Sequence, residues 1–263
     1  MGAIPTRRCT LDLERSHVET GSTLVVGVDE VGRGAWAGPI SVGVAAIDGK
    51  GAASAVPPGL RDSKRLTESV RESLFDAVGS WCVAWAVGHA TNAECDDLGM
   101  SAAQRLAASR ALDTLFSSRD GCGDNTAAGT LGGSLSRRVF LVDGRWDFVS
   151  RPRPSPSEEV AGDANSRAAA GEPEAAGPGH ADHIETVVKG DATCASIAAA
   201  ALLAKVTRDR WMRSVSLRFP AFSFDRNKGY PSPDHVRALT EFGPTPLHRT
   251  SWSYMDRLFG NRT

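Results

Sequence analysis

Two neighbouring acids, Asp29 and Glu30, stand at the end of an apolar run and directly before a glycine-containing turn. The run, residues 24–28, is rich in β-branched residues and predicts a buried strand. An unpaired carboxylate is costly to bury, because the charged group loses its hydration. A bound divalent cation would relieve that cost, and so would a salt bridge. Taken alone, the two acids leave two interpretations open: a metal site, or solvated acids in a hairpin.

The same arrangement occurs twice more along the chain. Residues 138–142 form an apolar run that ends in Asp143, and a strand-like run from residue 184 ends in Asp191. A glycine stands beside each of these acids. If the three runs converge at one edge of a sheet, their carboxylate oxygens form a ligand set that suits Mg²⁺ or Mn²⁺ rather than zinc.

Seven stretches of the chain resemble the bacterial type 2 ribonuclease H family, ribonuclease HII. They occur in the family's order along most of the chain. The stretches are VVGVDEVGRGAWAGP at 25–39, DSKRLT at 62–67, VFLVDG at 139–144, VVKGD at 187–191, LAKVTRDR at 203–210, NKGYPSPDHVRAL at 227–239 and GPTPLHR at 243–249. The resemblance implies a ribonuclease H-like fold and a metal-dependent endoribonuclease.

The resemblance also implies which residues form the metal site: Asp29, Glu30, Asp143 and Asp191. Asp29 and Asp143 are expected to be shared inner ligands of two metal ions, Glu30 a flanking ligand, and Asp191 an outer ligand or water-positioning residue. Consecutive strand residues point to opposite faces, so Glu30 can join Asp29 only if the chain twists or leaves the strand. Asp191 is alternatively an acid that precedes a helix and is favoured by the helix dipole.

The glycine turn and a distant tyrosine are implied to recognise the ribonucleotide. The matching residues are Gly32, Arg33 and Gly34 in the turn, and Tyr230 in NKGYPSP. A 2′-hydroxyl both donates and accepts hydrogen bonds, so exposed backbone groups on a tight turn can distinguish it from hydrogen. An aromatic ring against the next sugar would resist a second 2′-hydroxyl. Alternatively, Tyr230 is only a turn aromatic before a proline.

Basic residues are concentrated towards the C-terminus. Residues 184–263 hold 12 Lys or Arg against 7 Asp or Glu, while the whole chain has a net charge of −1. This surplus fits contacts with phosphates, although it also fits an ordinary solvated surface. Lys205 and Asp209 stand four residues apart and can instead pair with each other. By resemblance, the candidates for phosphate contacts are Lys64, Lys189, Lys205, Arg208 and Lys228.

Three positions depart from the family pattern. Gly99 stands where the family often has asparagine, Ala201 where serine is common, and Asn227 where histidine is frequent. None of the three removes a metal ligand. We therefore expect activity to be retained, with the departures affecting substrate contacts at most.

Hydrophobic periodicity predicts an α/β fold with a mixed sheet flanked by helices and a small C-terminal helical region. This agrees with the ribonuclease H-like fold that the resemblance implies. Three strands in hairpin order are followed by strands that helices separate. Strands are predicted near 24–28, 38–47, 81–88, 138–143 and 184–191, and helices near 67–78, 94–116, 194–217 and 232–242.

Composition divides the chain into a polar leader at 1–22, a catalytic domain at 23–219 and the helical region at 220–263. Within the catalytic domain, residues 117–136 are rich in Gly, Ser, Thr and Asn, and residues 150–183 are rich in Pro, Ala, Gly and Glu; both segments are poor in large apolar residues. Both predict flexible insertions, because such sequences cannot bury enough apolar surface to order themselves.

The composition also bears on compartment and partners. No stretch approaches the roughly 18 apolar residues of a membrane helix, and the N-terminus lacks a secretory signal. The opening residues MGAIPT match a bare myristoylation pattern, which we interpret as accidental. Five cysteines without a CxxC pair argue against a disulfide framework and fit a reducing cytoplasm. The protein is expected to be a cytoplasmic monomer without membrane contact.

The sequence therefore predicts an endoribonuclease that uses Mg²⁺ or Mn²⁺. By resemblance, its substrates are RNA–DNA hybrids and duplex DNA that contains single ribonucleotides, cut on the 5′ side of the ribonucleotide to leave a 5′-phosphate. One alternative is a junction resolvase of similar fold, but this function would not explain the glycine turn at residues 32–34 or the KGYP motif at residues 228–231. A hybrid-binding protein without activity does not need four intact acids, and a glycosidase with paired carboxylates does not explain the basic C-terminal third.

Overall fold

Five strands form a single mixed sheet in the computed structural model, which describes residues 9–117, 137–150 and 182–260. They are β1 (Leu24–Val31), β2 (Ile40–Asp48), β3 (Ala84–Ala90), β4 (Arg138–Asp143) and β5 (His183–Val187). Their order in the sheet is β3-β2-β1-β4-β5. The β1–β2 and β2–β3 pairs are antiparallel, and β4 runs parallel to both β1 and β5. The predicted α/β fold with a mixed sheet is confirmed.

Helices cover both faces of this sheet. In the described residues they are α1 (Asp12–Glu19), α2 (Gly49–Ala53), α3 (Glu68–Trp81), α4 (Asn92–Leu98), α5 (Met100–Ser117), α6 (Ala195–Ser216), α7 (Phe224–Asn227), α8 (Pro233–Phe242) and α9 (Ser253–Phe259). Short 3₁₀ turns lie at Ser63–Arg65, Gly190–Ala192 and Pro220–Phe222. Apolar residues of α5 pack on one face of β1 and β2, and those of α6 pack on the other.

Helix α6 lies unusually close to the two central strands. A Cβ atom at Gly27 would stand 2.2 Å from the backbone carbon of Ser196, and one at Gly43 would stand 2.4 Å from the carbonyl oxygen of Ala200. The alanine-rich start of α6 presents small side chains to these glycines. Helix and strand backbones therefore nearly touch beneath the acidic edge of β1, which fixes α6 relative to Asp29.

Three predicted boundaries are wrong, and one of them is the end of β5, which lies at Val187 rather than at residue 191. The helix predicted at 94–116 is two helices, α4 and α5, because Gly99 between them adopts a left-handed φ of 77°. The strand predicted at 81–88 begins at Ala84, since Trp81 is the last residue of α3. The other predicted helices and strands begin close to their predicted first residues. Thr67 caps α3 through its side chain as expected.

The predicted polar leader is partly folded onto the domain. Residues 12–19 form α1, and its Glu14 is fully buried. One oxygen of Glu14 accepts hydrogen bonds from the backbone N–H and the hydroxyl of Ser196, at 2.8 and 2.7 Å. Glu14 thus caps the first turn of α6 from a distant part of the chain. The polar composition of residues 1–22 did not predict this contact.

The predicted insertions lie outside the described residues except at their ends. Ser117 ends α5, Ser150 donates to Asp147, and His183 begins β5, so these end residues belong to the folded domain. The division into three segments stays a prediction. No helix among the described residues is both long enough and apolar enough to cross a membrane. The four described cysteines are free and buried.

Candidate active site

Three aspartates meet at one edge of the sheet. Because β1 and β4 are parallel neighbours, Asp29 and Asp143 emerge at the same end of the sheet. The sequence predicted that Asp191 ends a strand, and this is wrong. Strand β5 ends at Val187, and Asp191 lies in the 3₁₀ turn before α6. One carboxylate oxygen from each aspartate lies within 4.8 Å of the other two. The chain thus brings together acids up to 162 positions apart.

Glu30 is not part of this close group. Its side chain lies on the α5 side of the sheet, where the Nε2 of Gln104 donates to its carboxylate at 3.2 Å. Asp29 faces the other way, and one of its oxygens accepts the backbone N–H of Glu30 at 2.7 Å. The alternation of strand side chains therefore separates the two acids, and the role of Glu30 as a flanking ligand stays a prediction. Glu30 still lies near enough to Asp143 for their charges to interact.

The acids perturb one another strongly. Asp29 is 3% exposed. Burial, followed by the charges of Glu30 and Asp143, raises its pKa well above the usual value of an aspartate. Burial and Asp143 raise the pKa of Glu30, and burial and Asp191 raise the pKa of Asp143. Like charges held together in a dry site favour protonation or a bound cation.

One cationic side chain partly balances this charge. The Nζ of Lys64 lies 3.2 Å from a carboxylate oxygen of Asp191. Burial alone would lower the pKa of Lys64, but the charges of Asp191 and Asp29 outweigh it and raise the pKa. A single lysine, largely exposed, does not neutralise four acids. Hard oxygen ligands at this spacing, with raised pKa values, fit a divalent cation such as Mg²⁺ or Mn²⁺.

The glycine turn follows β1 directly. Gly32 has a φ of 87°, and the N–H of Ala35 donates to its carbonyl at 3.2 Å, which closes a β-turn over Arg33 and Gly34. These two residues have different surroundings. The Arg33 guanidinium donates to Gln104 at 3.1 Å, whereas Gly34 is open except for the ring of Tyr230.

Tyr230 stands beside the turn although almost 200 residues separate them. Its hydroxyl accepts the N–H of Gly32 at 3.1 Å. The guanidinium of Arg208 lies 5.6 Å from the ring centroid. Asn227 shapes the approach to the tyrosine, because its side chain accepts the N–H of Gly229 at 2.8 Å and its carbonyl accepts that of Tyr230. The structure thus brings the two predicted recognition elements together.

The basic residues predicted to contact phosphates differ in their exposure and in their partners. Lys205 pairs with Asp209 at 2.7 Å, the alternative that their spacing left open. Lys228 is buried and donates to Glu68 and to the carbonyl of Asp225. Arg208 is fully buried. Lys189 is exposed, with a left-handed φ of 60°. Lys64 and Lys189 are therefore the candidates whose positions suit contact with a phosphate.

Two further residues at the site were not predicted from the sequence. Gln104 links Glu30 to Arg33, and Arg249 donates to the carbonyls of the turn. Gln104 is a polar residue on the apolar face of α5, between Ala103 and Ala107, and that position was a usable signal. Arg249 follows a loop that is separated from the turn by more than 200 residues, and no local pattern indicates its role.

The other departures from the family pattern lie away from the acids. Gly99 separates α4 from α5, and Ala201 is buried within α6. Neither residue contributes a carboxylate or a donor to the aspartate group. Among the three departures, Asn227 alone is adjacent to a predicted recognition residue.

Comparison with known proteins identifies the family. The family model described as ribonuclease HII matches residues 26–119 and 157–255. A ribonuclease HII of Streptomyces avermitilis is 39% identical over 250 residues, covering 95% of this chain and 85% of that protein. The crystal structure of the ribonuclease H2 from Pyrococcus horikoshii OT3 matches with a TM-score of 0.57 and 25% identity, covering 89% of this chain and 96% of that one.

A structure of Bst-RNase HIII in complex with Mn²⁺ shares the fold, with a TM-score of 0.55 and 18% identity over 92% of this chain and 72% of that one. The acidic edge of the sheet, the glycine turn and the matches over most of the chain agree. The chain belongs to the ribonuclease HII family of metal-dependent endonucleases that act on RNA–DNA hybrids.

Proposed function

We propose that the protein also cuts duplex DNA at single embedded ribonucleotides, on their 5′ side, by two-metal-ion catalysis. The observation that carries this proposal is the aspartate group of Asp29, Asp143 and Asp191 beside a turn with exposed backbone donors. The acids would form the site of hydrolysis, and the backbone donors of the turn would recognise one ribose.

The acids of this chain would hold Mg²⁺ or Mn²⁺. Asp29 and Asp143 would be the shared ligands, with Asp191 added from the 3₁₀ turn and Glu30 added from the α5 side. Divalent ions at such a site stabilise negative charge on the phosphate and activate water. The fit rests on the donor set, since carboxylates with pKa values raised by burial and mutual repulsion gain most from a cation.

The protein groups around the acids would orient the substrate. Lys64 approaches the aspartates from solvent, so its ammonium group can move from Asp191 to a phosphate oxygen when the nucleic acid binds. Lys189, which follows β5 and is exposed, offers a second cationic group to the phosphates. These contacts position the backbone and carry no information about sequence.

Ribose recognition would take place between the turn and Tyr230. A 2′-hydroxyl offers an acceptor to backbone N–H groups and a donor to carbonyls, which hydrogen at the same carbon does not. The tyrosine ring then lies against the following deoxyribose. The free cysteines fit a protein of the cytoplasm, where we propose that it acts as a monomer.

The test is incubation with a duplex that carries one ribonucleotide, with Mg²⁺, with Mn²⁺ and with chelator. We expect a single cut 5′ of the ribonucleotide, with 3′-hydroxyl and 5′-phosphate ends, only when metal is present. An all-DNA duplex of the same sequence is the matched control. A protein that cuts a continuous RNA–DNA hybrid but leaves the single-ribonucleotide duplex intact would disprove the finer specificity.

A further inference from the structure

Two buried guanidinium groups stand behind the glycine turn. Arg208 on α6 and Arg249 after the loop at 243–248 are both 0% exposed. Among the described residues neither forms an ion pair with a carboxylate within 4.0 Å. Burial lowers the pKa of both groups, that of Arg208 to about 10. A guanidinium group nevertheless remains protonated in proteins. A buried cation without an ion-pair partner is costly, and its charge must be met by other polar groups.

Backbone carbonyls of the turn and its continuation meet this charge. Arg249 donates to the carbonyl of Gly32 at 2.7 Å, to that of Arg33 at 2.9 Å and to that of Gly38 at 3.0 and 3.2 Å. Arg208 donates to the carbonyls of Pro39, Lys228 and Ala37, at 2.9, 2.8 and 3.2 Å. All nitrogens of both groups are thus directed at the backbone.

This arrangement fixes the direction of two amide groups. In a planar trans peptide, the N–H of each residue points opposite to the carbonyl of the residue before it. Because the carbonyls of Gly32 and Arg33 face Arg249, the N–H groups of Arg33 and Gly34 point away from it. Both residues are exposed, and neither N–H donates to a described residue. Two adjacent donors are therefore held towards solvent beside the Tyr230 ring.

We propose that Arg249 is a positioning residue for ribose recognition: it holds the turn so that the N–H groups of Arg33 and Gly34 can bind the 2′-hydroxyl. The proposal rests on the proposed cleavage at single ribonucleotides. Arg208 supports the same turn from its other end and also contacts the carbonyl of Lys228, two residues before Tyr230. The two arginines thus fix the distance between the amide donors and the tyrosine.

Lysine cannot replace arginine in this role. The planar guanidinium reaches three carbonyls at once through fixed donors, whereas an ammonium group is a compact charge that cannot span them. Arg249→Lys keeps the charge and loses the geometry, so it separates positioning from electrostatics. Arg210→Lys is the matched control, because Arg210 lies on the same helix as Arg208 but is exposed and pairs with Glu72.

The test compares a ribose-containing substrate with its deoxyribose counterpart. The KM and kcat are measured on a duplex with one ribonucleotide, and the Ki of the same-sequence DNA duplex is measured as a competitor. Arg249→Lys should raise the KM about tenfold, the effect of losing one hydrogen bond, and change the Ki less than about twofold. Arg210→Lys should change neither. Equal increases in KM and Ki, or no change in either, would overturn the proposal.

A measurement on the unmodified protein covers the case in which Arg249→Lys fails to fold. Backbone amide signals of Arg33 and Gly34 should shift on addition of the single-ribonucleotide duplex and shift much less with the DNA duplex. Equal shifts with the two duplexes would exclude ribose binding by these donors. If the unmodified protein does not cut the single-ribonucleotide duplex with metal, the proposed function itself fails; if it does and the arginine variant behaves normally, only this inference fails.

Discussion

Two glycines of one turn should respond in opposite ways to the same substitution. A Cβ atom at Gly32 would lie 2.3 Å from the Nε of Arg208 and 2.7 Å from the carbonyl oxygen of Pro39, and its φ of 87° disfavours any side chain. A Cβ atom at Gly34 would meet only the Cε1 of Tyr230, at 4.0 Å, which is ordinary van der Waals contact. Gly34 is also absent from the left-handed region.

The two costs follow from these contacts. For Gly32→Ala, the left-handed backbone contributes about 1–2 kcal/mol and overpacking about 1–3 kcal/mol. At about 2–4 °C per kcal/mol for a chain of this size, the Tm should fall by on the order of 10 °C. For Gly34→Ala, the free energy of unfolding should change by less than about 0.5 kcal/mol.

Gly34→Ala, the variant that should keep its stability, should nevertheless lose activity. The new methyl of Gly34→Ala touches the tyrosine ring, so no sugar atom can lie between the turn and the ring at that point. Loss of that contact, worth about 1–3 kcal/mol, should lower kcat/KM on a single-ribonucleotide duplex by about 5- to 150-fold. Thermal denaturation and steady-state kinetics at a temperature well below the Tm test both statements.

Two results would refute this reasoning. A Tm loss for Gly34→Ala as large as that for Gly32→Ala would show that the turn is packed differently. Normal stability with full activity in Gly34→Ala would show that the gap between the turn and Tyr230 does not receive the substrate.

Other predictions concern the acids and the tyrosine. Asp29→Asn and Asp143→Asn should each abolish turnover with Mg²⁺ or Mn²⁺, and near-normal kcat in either would contradict the ligand assignment. Excess chelator should stop cleavage by the unmodified protein, and continued cutting would exclude a metal mechanism. Because burial and neighbouring acids raise the folded-state pKa of Asp29 above its usual 3.8, the metal-free protein should lose stability as pH rises above about 4 and through that raised pKa. Denaturant titrations of Asp29→Asn should show a smaller loss, and equal losses would exclude this origin. Tyr230→Ala should slow cleavage at a single ribonucleotide more than within continuous RNA, and equal slowing would indicate a merely structural ring.

The strands and the metal ligands could be largely predicted from the sequence. Apolar runs that end in Asp29 and Asp143 have a local signature, and the parallel pairing of β1 and β4 then brings the two acids together. The break between α4 and α5 at Gly99 could not be predicted in this way. Hydrophobic spacing continues across it at Met100 and Leu106, so periodicity predicts one helix although a single left-handed residue divides it.

The supporting contacts could not be predicted in the same way. Glu30 is held by Gln104, Ser196 is capped by Glu14, and the turn is held by Arg249. Each contact joins residues 74 or more positions apart. No local pattern couples them, because they depend on how whole helices pack on the sheet. Local signals therefore identify the acids, and tertiary packing determines which neighbours orient them.

The position of Arg249 after all four acids in the sequence sets an order for their synthesis. All four acids have been translated once residue 191 is made, but the guanidinium that holds the turn comes 58 residues later. At about 5–20 residues per second, the ribosome needs roughly 3–12 s for that interval. A nascent chain therefore carries all four acidic residues for several seconds before it contains the guanidinium group that holds the turn at residues 32–35.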